Sequence, residues 1–129
     1  MSAKFLAVIA LMIAWTAPAV AADGSQPRQV TVVASEYQFS PAGLVFKRGV
    51  AYRLHLENHG KESHEFTAPD FFKAIELTDP AVLNADKTEI IIHPGEAKDL
   101  IFVPKKAGHY KLICSDHDWA GMTGTITVK

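Results

Sequence analysis

The chain of 129 residues has a single cysteine, Cys114, so no internal disulfide can form. It also lacks an excess of either charge, since 13 Lys and Arg stand against 14 Asp and Glu for a net charge of -1. That balance provides no electrostatic footprint for nucleic acid or for an anionic membrane surface. No internal repeat or low-complexity segment follows residue 23. There is no Ser-His-Asp pattern, phosphate-cradling Gly loop or paired carboxylates in a convincing context, which argues against the common hydrolytic and phosphoryl-transfer chemistries. The longest apolar run, Phe5 to Trp15, is too short to cross a bilayer.

That run reads instead as the centre of a signal peptide over residues 1-22. Lys4 supplies the basic start, Pro18 interrupts the apolar stretch, and Ala19-Val20-Ala21-Ala22 offers small residues at the cleavage positions. An uncleaved membrane anchor is the weaker alternative, because the run is short. Processing leaves residues 23-129 as one domain, with 48% hydrophobic residues in the whole sequence to supply a core. Export to the periplasm puts this lone thiol in an oxidising compartment. There it must be buried, paired with another chain or bound to metal.

The mature stretch reads as short strands punctuated by turns. Gln29 to Ser35 is rich in Val and Thr, and Leu44-Val45-Phe46 follows a turn at Phe39 to Gly43. Val50, Tyr52, Leu54 and Leu56 alternate with Ala51, Arg53, His55 and Glu57, the signature of a half-buried strand. Asn58-His59-Gly60-Lys61 is a turn, and His64 to Ala68 resumes an extended run. Pro69 to Leu77 suits a short helix with Phe71, Phe72 and Ile75 inward. Glu89 to His93, Lys98 to Val103, Gly108 to Cys114 and Thr123 to Val128 complete the strands. The expected fold is all-β: an antiparallel Greek-key sandwich or barrel of seven to eight strands with a short helical insert.

Cys114, His117 and Met122 place a thiol, an imidazole and a thioether within nine residues. Taken singly, each has a plain structural reading as a core or loop residue. In a sharply turning loop they form a soft donor set suited to copper or zinc. Strand phase brings in a fourth donor. Cys114 shares a face with Tyr110 and Leu112, and His64 shares one with Phe66, so both point inward at strand ends. Two imidazoles, a thiolate and a long axial thioether form a blue-copper ligand set. His59 is the nearest rival to His64, but it sits in a turn facing solvent. His55 and His109 alternate outward, and His93 precedes a Pro turn.

With these residues the sequence resembles the cupredoxins of the plastocyanin and pseudoazurin type. Phe39-Ser40-Pro41, Gly49-Val50, Asn58 and His64 are similar to the family's first half. Gly108-His109-Tyr110, the Cys-x2-His-x4-Met spacing and Gly124 are similar to its second. The resemblance implies one copper ion at a type 1 site of His64, Cys114, His117 and Met122. It implies a monomeric electron carrier rather than an enzyme, with His117 as the more exposed ligand, the edge through which electrons pass. Two departures stand out. Glu65 occupies the position where the family commonly has Asn, where it would accept a hydrogen bond from Ser115 or simply be solvated. Asp116, Asp118 and Trp119 surround the C-terminal ligands, suggesting a redox partner with a basic face, such as a cytochrome c or a copper or haem enzyme. Copper sequestration or delivery is the alternative function, and a zinc-stabilised module is a more distant one.

Overall fold

The computed structural model describes residues 25-129. The expected signal peptide over 1-22 lies outside them. Among the described residues ten strands form two five-stranded sheets packed face to face as a sandwich, with no closed barrel. The strands are β1 (Arg28-Ser35), β2 (Gln38-Ser40), β3 (Gly43-Phe46), β4 (Tyr52-Asn58), β5 (His64-Thr67), β6 (Ile75-Leu77), β7 (Glu89-Ile92), β8 (Ala97-Pro104), β9 (Gly108-Ile113) and β10 (Thr123-Val128). One sheet runs β2-β1-β4-β8-β6 and the other β3-β10-β9-β5-β7.

The sheets are mixed rather than wholly antiparallel as expected. β1 runs parallel to β4, pairing Val30 with Leu54, and β10 runs parallel to β3, pairing Ile126 with Leu44. β2 and β3 switch the chain from one sheet to the other before β4 returns beside β1, so neighbouring strands need not be joined by a hairpin.

The alternation expected of β4 holds, with Tyr52, Leu54 and Leu56 buried. They face Phe66, Ile90, Ile92, Leu112 and Ile126 of the other sheet, all fully buried. Burying each such side chain contributes about 1.5-3 kcal/mol. Phe102 closes the end of the core remote from Cys114, packing edge-on against Phe46 at 5.1 Å and Phe71 at 5.5 Å between ring centres.

The helical insert is shorter than its sequence suggests. It covers only Pro69-Lys73 (α1), with Phe71 and Phe72 buried. The Ala74 N-H bonds back to the Phe71 carbonyl and ends it. Ile75-Leu77 then becomes an edge strand, because β8 offers unpaired backbone and takes Ile75 opposite Pro104. Among the described residues no helix is long and apolar enough to cross a membrane.

Candidate metal centre

The site forms where β5 and β9 part. Their ladder pairs Thr67 with Ile113. Just beyond that pair the chain leaves β9 at Cys114, and β5 continues back to His64 on the neighbouring path. Both residues are fully buried, as their strand phase requires.

Two loops bring in the remaining groups. Residues 114-122 close on themselves: the Cys114 N-H donates to the Met122 carbonyl at 2.9 Å, and the His117 N-H donates to the Cys114 carbonyl at 3.1 Å. A single 3-10 turn over Asp118-Ala120 is reversed by Gly121 at φ 79°, a left-handed conformation that glycine adopts without strain. That reversal returns Met122 to the core, where it is fully buried. The other loop leads into His64 and is pinned by Asn58. Its side-chain amide donates to the carbonyls of Glu62 at 2.7 Å and Ile92 at 2.8 Å, and its oxygen accepts from the Gly60 N-H at 2.8 Å. Asn58 is therefore the buried last residue of β4, and the turn expected from it begins one residue later.

The donor atoms of His64, Cys114 and His117 all lie within 4.8 Å of one another. The Cys114 Sγ is 3.4 Å from His117 Nδ1 and 3.9 Å from His64 Nδ1. The two rings meet edge-on, 5.0 Å between centres. Burial pushes the Cys114 thiol up to about 11, and its hydrogen bond to the Glu65 carboxylate adds to the effect.

Glu65 differs from both expectations made for it. It is only 5% exposed, its N-H donates to the Cys114 sulfur at 3.4 Å, and its Oε2 accepts from the thiol at 3.1 Å. Ser115 donates instead to Glu89 Oε2 at 2.9 Å, the oxygen that also receives the Thr67 hydroxyl. The Glu65 carboxylate is engaged by the Cys114 thiol and the Ser115 hydroxyl by Glu89, so the two do not pair.

His117 is the more exposed of the two imidazoles, as the family resemblance implies, since the His64 side chain is 0% exposed. The His117 side chain is 12% exposed, and its Nε2 lies 2.7 Å from Glu62 Oε2. Tyr37 covers it at 4.9 Å between ring centres and donates its hydroxyl to Glu62 at 3.2 Å. His64 has a matching arrangement, with Nε2 3.2 Å from Glu36 Oε1. That carboxylate also accepts the N-H groups of Lys61 at 2.6 Å and Glu62 at 2.9 Å. The Glu62 N-H and then the Lys61 N-H hold the Glu36 carboxyl below its ordinary range. Sequence reasoning missed Glu36, Tyr37 and Glu62. Only Glu62, two residues before His64, left a local trace; Glu36 and Tyr37 arrive from the β1-β2 bend with no motif.

The other histidines have partners elsewhere. His59 pairs with Glu57, His93 with Ser63 and His109 with Thr127. His55 does lie on the outward face, but it is held between Asp99 at 2.7 Å and Glu57 at 3.1 Å rather than freely solvated.

A family model described as a cupredoxin-like domain matches residues 5-128. The chain belongs to the cupredoxin-like family. No curated protein sequence matches this cupredoxin. Among solved structures, it is similar to the auracyanin of the photosynthetic bacterium Roseiflexus castenholzii at 19% identity and a TM-score of 0.61, over 81% of this chain and 99% of that one. Auracyanin A, a blue copper protein from the green thermophilic bacterium Chloroflexus aurantiacus, is 20% identical with a TM-score of 0.58, over 81% and 100% of the two chains. Auracyanin B is 22% identical with a TM-score of 0.59, over 81% and 91%. At these identities the likeness speaks for the fold. The chemistry comes from the donors themselves. In this cupredoxin a thiol and two imidazole nitrogens converge beside a buried thioether-bearing residue, a set that fits a single type 1 copper ion.

Proposed function

We propose that this cupredoxin is a periplasmic carrier of single electrons, with one copper ion held by His64, Cys114, His117 and Met122. The observation behind it is the convergence of the Cys114 sulfur and two ring nitrogens within 4.8 Å at a buried strand end. Bound copper would supply the Cu(I)/Cu(II) couple. The chain's own residues do the rest. β5 and β9 fix the directions of His64 and Cys114, and the closed 114-122 loop holds His117 and Met122 to them. The hydrogen-bonded frame resists rearrangement when the charge at the centre changes, which keeps the barrier to electron transfer low. Four protein donors leave no open position for substrate, so electron transfer is favoured over catalysis at the metal.

The exposed acids Asp116 and Asp118, with Glu62 at 49% side-chain exposure, flank Trp119 at 76%. An apolar centre ringed by carboxylates suits a partner with a basic face, such as a cytochrome c or a copper or haem enzyme. Electron-transfer rates to a basic cytochrome should fall as salt is added, and salt-independent rates would remove this partner class.

Copper loading tests the main reading. The oxidised protein should show intense visible thiolate-to-copper absorption that ascorbate bleaches, with reversible voltammetry. A colourless protein after loading would overturn it. Copper delivery would use the same ligands, and loss of the ion to a chelator within minutes would favour that alternative.

A further inference from the structure

Each imidazole at the centre turns one nitrogen towards the Cys114 sulfur and the other towards a carboxylate. His64 Nε2 meets Glu36 at 3.2 Å, and His117 Nε2 meets Glu62 at 2.7 Å. A carboxylate only accepts, so a neutral ring in either place puts its hydrogen on Nε2 and leaves the Nδ1 lone pair facing the sulfur. The two carboxylates are themselves fixed. Glu36 Oε1 is held by the N-H groups of Lys61 and Glu62, while Glu62 receives the Tyr37 hydroxyl. Residue 62 thus joins both halves, its N-H serving Glu36 and its carboxylate serving His117.

We infer that Glu36 and Glu62 are positioning residues that set the tautomer and donor strength of the two imidazoles before any ion arrives. A carboxylate behind a ligating imidazole makes the ring a better donor, and losing such a partner typically weakens metal binding by about 10-100-fold. The stronger, anionically backed donors favour copper(II) over copper(I). The pair therefore lowers the reduction potential, and every tenfold gain confined to copper(II) lowers it by about 59 mV. The effect on potential rests on the copper reading above; the tautomer does not.

The test has two independent parts. Nitrogen-15 NMR of the metal-free full-length chain in mildly alkaline solution should show His64 and His117 as Nε2-H tautomers. Glu62→Gln should weaken copper(II) binding by about tenfold or more, with a smaller loss for copper(I), so that the potential rises. Glu62 is half exposed and its carboxylate holds no backbone N-H, so this variant should keep its fold. Gly60 supplies a second perturbation that leaves charge untouched. A β-carbon there would collide with the Glu36 carboxylate, so Gly60→Ala should displace it from His64 and raise the potential in the same direction. Nδ1-H rings in the metal-free chain, or unchanged copper(II)/copper(I) affinity ratios in both variants, would overturn the inference. A wild type that shows Nε2-H rings but takes up no copper would overturn the carrier reading and leave the positioning role standing.

Discussion

Metal uptake by this cupredoxin should compete with a proton on Cys114 across the whole physiological range. The thiol is fully buried, and burial pushes it up to about 11 from a reference of 9.0. A metal takes the thiolate, so below that value each ion bound displaces one proton from sulfur. From this proton alone, apparent copper(I) affinity should rise tenfold for each unit of pH. The same shift has a consequence for stability. The folded thiol holds its proton more tightly than the unfolded one, so the contribution is fully present below about pH 9. It is lost as pH rises through about 11. Two units at about 1.36 kcal/mol each set an upper bound of about 3 kcal/mol on the loss. Chelator competition at several pH values reads the first effect. Urea unfolding of the metal-free, reduced chain reads the second, with Cys114→Ala as the reference that lacks this part of the alkaline fall. A thiolate absorbance rising with its midpoint near 9, or an equal alkaline fall in Cys114→Ala, would refute the reasoning.

Three further outcomes are expected. Glu65→Gln removes a carboxylate 3.1 Å from the sulfur, so the reduction potential of the copper protein should rise by the equivalent of about 1-2 kcal/mol, measured by voltammetry. Asn58→Ala leaves the Glu62 carbonyl and the Gly60 N-H of the His64 loop, and the Ile92 carbonyl of β7, without their partner, and should cost about 2-3 kcal/mol in denaturant unfolding while weakening copper binding. Phe102→Ala, at the end of the core remote from Cys114, should lower stability by about 3-5 kcal/mol and leave the visible spectrum unchanged.

Much of this centre was legible in the residues because strand phase is a strict rule. Tyr110, Leu112 and Cys114 alternate on one face of β9 and its continuation, so once Leu112 is inside, the sulfur must be too. The same holds for His64 and Phe66. The nine-residue spacing from Cys114 to Met122 made the ligand loop visible, since a thiol and an imidazole three residues apart require a turn. Less was legible where tertiary contacts override local pattern. Ile75 reads as a helical residue, yet the open edge of β8 draws it into a strand. Glu65 has the sequence character of an exposed strand residue, and only the meeting of β5 with the Cys114 turn encloses it. Glu36 lies 28 residues before the histidine it touches, and no periodicity links positions on separate loops.

The 114-122 segment leaves β9 and enters β10, and those strands stay paired up to the residues that flank it, Ile113 opposite Thr123. A stretch clamped at both feet in this way cannot splay without unzipping the ladder it stands on, so the grip on a bound ion is tied to the integrity of the sandwich beneath.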